Sequence, residues 1–237
     1  AQNDADGMAW AKGASGALGP RGYTLVDLGR FPPGTNDYTT QINGWKKGKV
    51  EILFANMAPP DFTTMWRQCH RMGFIPKVCT AGRAGLFSVA MEAIGGDLGI
   101  GVTSEAVWLP AFPFKSSLSG ETAKQFSDAY EKASGKQWSQ PLGGCHAGYE
   151  ILADALRRAQ TLDKETLRKA LADTDLMTLQ GPTKFTEKNI AISPSGCLQW
   201  VKGKKFPFEA VLVSSGNYKN LIVTGKTISI PKLKGMS

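Results

Sequence analysis

Cys145 and His146 stand side by side in GGCHAGYE, and a thiol beside an imidazole is the pairing of a nucleophile with its base. Inside a helix, however, adjacent side chains diverge by about 100°, so these two do not face one another. His146 and Glu150 lie one helical turn apart, as metal ligands can, but no third ligand accompanies them. The other histidine, His70, falls within a predicted helix rather than a loop. Cys69, Cys79, Cys145 and Cys197 are widely spaced and contain no CxxC pair, so they spell no zinc site. Disulfides in an oxidising compartment and buried free thiols both remain open. The glycine-rich IGGDLGIG lacks the lysine and hydroxyl residue of a phosphate-binding loop and precedes a strand instead of following one. No metal and no cofactor are expected, and the residues do not support catalysis.

A different chemistry is offered by KVCTAGRAGLF at 77–87. Its one arginine, Arg83, has no acidic residue near it in sequence between Phe74 and Met91. A guanidinium presents five donors in a rigid fork that matches a carboxylate. Two readings stand: Arg83 offers that fork to a ligand, or it meets a structural acid such as Asp97 or points to solvent. Asp4 and Asp6 flank another polar turn, NDADG, where aspartate next to glycine is also ordinary turn chemistry.

The elements that position these residues follow from the pattern. With 237 residues, 25.5 kDa and 42% hydrophobic side chains, the chain can build one large core or two smaller ones. The net charge is +8, but the lysines and arginines are scattered, which argues against a nucleic-acid surface. No window reaches the ~18 to 20 apolar residues of a membrane-spanning helix, and AQNDADGMAW has no leader character. A helix is expected over 6–18, stopped by GPRG, then a strand YTLVDLGRF at 23–31. Asp37 caps a helix through Tyr38, Ile42 and Trp45. KVEILFANM reads as a buried strand, FTTMWRQCHRMG as a helix, VCT as a strand, GLFSVAMEAIG as a helix and LGIGVTSEAVWLP as a strand. That βαβα order with short loops predicts an α/β fold with a parallel sheet.

The second half changes character. Ser119 is the expected cap of a helix to 135, HAGYEILADALRRAQ a long amphipathic helix opened by His146, and DKETLRKALADTD another. TKFTEKN reads as β-like, and CLQWVKGKKFPFEAVLVSS as a hairpin turning at KGKK. The proline-bearing AVWLPAFPF suits an ordered crossing between two lobes.

Several phrases, in this order and spacing, resemble the solute-binding proteins of bacterial ABC importers, branched-chain amino acid type, also called the extracellular ligand-binding receptor family. They are NDADGMAWAKG, PPGTNDYTTQI, RQCHRMG, GIGVTSE, HAGYEILADALRRA and LQGPTKFTEKN with its later QW, spanning nearly all of residues 1–215. The resemblance implies a type I periplasmic-binding-protein fold: two Rossmann-like lobes, a hinge and an interlobe cleft, with most of the first lobe absent from these residues. On that pattern 1–105 belong to lobe 2, 106–196 are hinge and returning helices of lobe 1, 197–215 return to lobe 2, and 216–237 form a basic, strand-prone tail. It implies a monomeric, periplasmic binder, not an enzyme, partnered by a small-molecule ligand and the membrane permease of an ABC importer, with no nucleic acid; the alternatives are a binder of branched-chain or other amino acids or amides, and a sensory ligand-binding domain of the same fold.

The same resemblance points to loops at the carboxyl ends of the lobe 2 strands. On this resemblance the Gly82–Arg83 neighbourhood, with Arg83, stands where amino-acid binders carry an acidic residue, which implies a carboxylate ligand in place of an ammonium. The loop of Asn56, Met57 and Ala58 has a small residue where relatives often carry an aromatic one, leaving room for a flat acid. Asp6 matches a cleft-lining position. Trp108 near the expected hinge is either a stacking surface or core, and His146 either a cleft contact or a helix-start residue.

Overall fold

The structure is a computed structural model and describes residues 1–231. It divides into two units. The first holds residues 1–104, 199–211 and the segment from Thr227; the second holds 105–198 and 212–226.

The first unit opens with helix α1 (Ala5–Leu18), whose N-terminus is capped by the Asp4 carboxylate accepting the Gly7 N–H at 2.7 Å. Residues 23–31, expected as a strand, run without a ladder. Only Phe31 pairs, in a parallel bridge with Gln2. Helix α2 (Thr39–Lys47) begins one residue later than expected, with Tyr38 and not Asp37 at its N-cap. Asp37 takes the Thr39 N–H at 2.9 Å, and the Gln68 side chain takes the Tyr38 N–H at 2.7 Å. Strand β1 (Ile52–Met57) leads through Ala58 into α3 (Pro59–Arg71), which starts earlier than expected because two prolines suit a first turn whose N–H groups lack helical partners anyway. Phe62, Met65, Trp66 and Cys69 recur at helical spacing, and all are buried.

Strand β2 (Val78–Arg83) is longer than the VCT reading. A 3-10 turn at Ala84–Leu86 and helix α4 (Ser88–Ile94) follow, then β3 (Val102–Ala106). β1, β2 and β3 are parallel, in a register that sets Asn56 beside Gly82 and Met57 beside Arg83. The sheet order is β1-β2-β3-β6-β7, with β6 (Gly196–Lys202) and β7 (Phe208–Ser214) joined through the charged turn. This is the α/β arrangement anticipated from the alternation.

In the second unit, α5 (Ala123–Ser134) is capped by Thr122 in a reciprocal pair with Gln125, not by Ser119. Ser119 instead lies in the preceding loop, its hydroxyl donating to Glu121. Helix α6 (Pro141–Ala159) opens on a proline, so His146 sits inside it and does not begin it. α7 (Lys164–Ala172) is capped by Asp163, and β4 (Asp175–Thr178) pairs antiparallel with β5 (Gly181–Lys184). Residues 215–231 form neither helix nor strand, contrary to the strand-prone reading; 232–237 lie outside the described residues.

Candidate functional site

The carboxyl ends of β1 and β2 set the candidate residues side by side. β2 ends on Arg83, whose backbone adopts φ 65° and ψ −61°, a rare and strained turn for a residue with a Cβ. The chain bends sharply there because the next turn is pressed on β3: a Cβ on Gly85 would lie 2.5 Å from that of Ser104. The bend carries the Arg83 side chain to the first loop. Its Nη1 donates to Asp4 Oδ2 at 2.8 Å, and its Nε stands 3.7 Å from Asp6 Oδ2. Asp97, the acid considered from sequence, meets Lys202 at 3.6 Å instead.

Asp4 therefore has two tasks, capping α1 and holding Arg83. The Gly7 N–H, then the guanidinium, keep its carboxyl below the ordinary aspartate range. Asp6 is the more exposed of the two carboxylates, at 62% against 31%. Around one cation there are thus two anions. An incoming carboxylate would have to displace Asp4 or approach past Asp6, whereas an ammonium could meet Asp6 directly.

The segments expected as loops are strand up to Met57 and Arg83, with only Ala58 between β1 and α3, and they are tightly organised. Met57 and Gly82 are buried, Ala58 is half-buried, and Asn56 is 4% exposed with its Oδ1 lacking a partner among the described residues. The Ala58 N–H donates to Gln2 Oε1 at 2.8 Å. The sequence reads Gln2 as no more than the tail of a strand; no motif marks it as a site residue, and only the fold reveals that it joins these segments. The structure thus brings together Asn56, Met57, Ala58, Gly82, Arg83 and Asp6. A groove of about 470 Å³ in the same unit lies elsewhere, lined by residues of α1, 22–31, α2 and the start of β1, including Trp10, Leu28 and Phe54.

Trp108 and His146 belong to the second unit. Trp108 is fully buried edge-on to Phe126 and Trp138, and a Cβ on Gly143 would sit 2.1 Å from its ring. The Phe126 ring also packs on His146, with centroids 4.7 Å apart. Ser116 Oγ accepts the Leu118 and Ser119 N–H groups, each at 3.1 Å, and lies 3.0 Å from His146 Nε2. Glu150 accepts the Ser117 N–H at 2.6 Å and the Leu179 N–H at 2.7 Å, so His146 and Glu150 serve loop structure and not a shared metal. Among the described residues, no three His, Cys, Asp or Glu side chains converge as metal ligands. Among the described residues no cysteine is joined in a disulfide, and Cys69 and Cys79 are buried while Cys145 is exposed.

A sequence model of the family described as periplasmic binding protein matches residues 1–205. The chain belongs to the periplasmic binding protein family. A leucine binding protein from Thermotoga maritima superposes with a TM-score of 0.74 at 20% identity, over 86% of this chain and 56% of that one. A branched-chain amino acid binding protein from Streptococcus pneumoniae, in complex with isoleucine, gives 0.69 at 16% identity, over 86% and 57%. A solute binding protein from R. palustris, in complex with benzoate, gives 0.70 at 13% identity, over 93% and 59%. These likenesses establish the type I periplasmic-binding-protein fold, and the chain spans less than two thirds of each of these structures. No helix among the described residues is long and apolar enough to cross a membrane.

Proposed function

We propose that this chain is part of a periplasmic receptor, not an enzyme, that captures a small solute and presents it to the permease of an ABC importer. The ligand contacts of the first unit are the Asp4–Asp6 loop, the Asn56–Ala58 loop and Arg83. One observation carries the ligand class: Asp4 and Asp6 both approach Arg83, at 2.8 and 3.7 Å. An excess carboxylate beside a guanidinium favours a solute bearing an ammonium, so the reading is an amino acid or a related amine, with Asp6 as ammonium partner and Arg83 as the group that orients the aspartates. This departs from the amine-free carboxylate inferred for Arg83 from sequence. The structurally similar proteins that bind leucine and isoleucine agree with it in class.

The second reading keeps the acid. The strained backbone of Arg83 is the sort of feature that persists where a side chain must be aimed, and an aromatic acid displacing Asp6 would then receive the guanidinium fork. The benzoate complex of a similar fold supports that class. Thermal-shift measurements on the intact protein against amino acids and against amine-free acids separate the two, because a ligand of the folded state raises its Tm. Stabilisation by amino acids that is lost in Asp6→Asn supports the first reading. Stabilisation by benzoate that is lost in Arg83→Ala supports the second, and no response to either panel sinks both.

A further inference from the structure

Glutamine carries both a donor and an acceptor and is seldom wholly buried. Gln2 is 1% exposed and every polar atom of its side chain is used. Its Oε1 accepts the Ala58 N–H at 2.8 Å and its Nε2 donates to Asp61 Oδ2, while Asp61 Oδ1 accepts the Gly34 N–H at 3.0 Å. Its backbone N–H donates to Asn56 O at 3.1 Å, and the following Asn3 N–H donates to Phe31 O at 2.8 Å. Its carbonyl lies against Gly7, where a Cβ would come within 2.2 Å. Two residues further on, Asp4 takes Arg83. Residues 2–4 therefore join all three loops: Gln2 clips the Asn56–Ala58 loop and the turn at Gly34, and Asp4 clips the end of β2.

We propose that Gln2 is a positioning residue for ligand recognition: through Ala58 and Asp61 it sets the spacing between the Asn56–Ala58 loop and the Asp6–Arg83 pair. The inference rests on reading those loops as the binding surface. Two observations separate this from plain structural support. Ala58 is the one residue between β1 and α3, and its N–H is held at 2.8 Å by Gln2, so the bond fixes where that amide lies. The same loop retains an unpartnered buried acceptor, Asn56 Oδ1, a cost that a loop shaped only for stability would shed.

The test is a swap. Gln2→Met keeps the shape of the side chain and removes its hydrogen bonds. The double variant Gln2→Glu with Asp61→Asn restores all of them with donor and acceptor exchanged, since a Glu carboxylate can take the Ala58 N–H and the new Asn amide, whose oxygen still takes the Gly34 N–H. With leucine and benzoate as probes and calorimetry on the intact protein, Gln2→Met is expected to weaken the bound probe about tenfold and to speed amide exchange at Ala58, a loss typical of one or two hydrogen bonds. The double variant is expected to recover both. A Gln2→Met protein with lower Tm but unchanged affinity and unchanged exchange at Ala58 overturns the inference. Leucine affinity lost in Asp6→Asn, or benzoate affinity lost in Arg83→Ala, but kept in Gln2→Met overturns it while the site reading stands. Affinity for the bound probe kept in Asp6→Asn, Arg83→Ala and Gln2→Met alike, or no binding of either probe by the unaltered protein, overturns the two together.

Discussion

His70 illustrates how one side chain couples burial to pH. It is 2% exposed, its ring stands edge-on to Trp66 with centroids 4.8 Å apart, and its Nε2 has no partner among the described residues. Burial pushes its pKa down from the usual 6.5 to about 4. The folded state thus binds its proton less readily than the unfolded state does. The stability this contributes is full above the unfolded value and is lost as pH falls from about 6.5 towards 4, an effect on the order of 3 kcal/mol. Replacing His70 by Phe removes the titration without adding a buried polar atom, and the expected outcome is a flatter stability curve between pH 6.5 and 4 in urea unfolding. A curve as steep as that of the unaltered protein would assign the acid sensitivity elsewhere. Asp4 acts in the same direction at lower pH. Its carboxyl is held low by Gly7 and Arg83, so its contribution is present above the ordinary aspartate value and disappears below it.

At the scale of elements, what could be read from the sequence was periodicity, and what could not was partnership. The 3.6-residue recurrence of Phe62, Met65, Trp66 and Cys69 marks one buried face, and that face is buried. YTLVDLGRF has equally good strand composition, but a strand exists only through its neighbour, and the segment has one pairing residue beside it, Gln2. Gln2 in turn was illegible because its importance lies in contacts 56 and 59 residues away. Arg83 and Asp4 are 79 residues apart, so the ion pair that changes the ligand reading could not be seen either. Capping failed for a local reason. Ser119 and Thr122 both suit an N-cap, and only Thr122 has a glutamine at its third helical position to complete a capping box. The two can be separated by thermal unfolding: Thr122→Ala is expected to cost about 1 kcal/mol, whereas Ser119→Ala, whose hydroxyl contacts the exposed Glu121, should cost markedly less. Equal losses would mean that the helix gains nothing particular from its box.

For the whole molecule, the non-contiguous make-up of the first unit has consequences for what can fold. Residues 1–104 supply β1, β2 and the first three residues of β3, but one side of β3 is covered by β6, which arrives almost a hundred residues later. That late segment is anchored deeply. The Gly101 N–H donates to Trp200 O at 2.8 Å, Gln199 Nε2 donates to Gly101 O at 2.8 Å, and the fully buried Trp200 indole donates to Gly85 O at 2.9 Å. Phe208 closes on Gly99, leaving no space for a side chain there, and Gln199 also receives the Ile228 N–H at 2.8 Å. Removing one buried tryptophan typically costs 3 to 5 kcal/mol, and a domain of this kind holds only about 5 to 15 in total. Without β6 the inner edge of β3 would also present unpaired backbone groups. A fragment of residues 1–104 is therefore expected to lack a cooperative thermal transition and to self-associate, even though it contains every candidate ligand residue of the first unit. Joining 199–211 and 227–231 to it through short glycine linkers should restore the transition in near-ultraviolet circular dichroism. If 1–104 alone melts cooperatively, then α3 and α4 packed on three strands suffice, and the Arg83 loop, shaped by Gly85 against Ser104, does not depend on the strand that covers them.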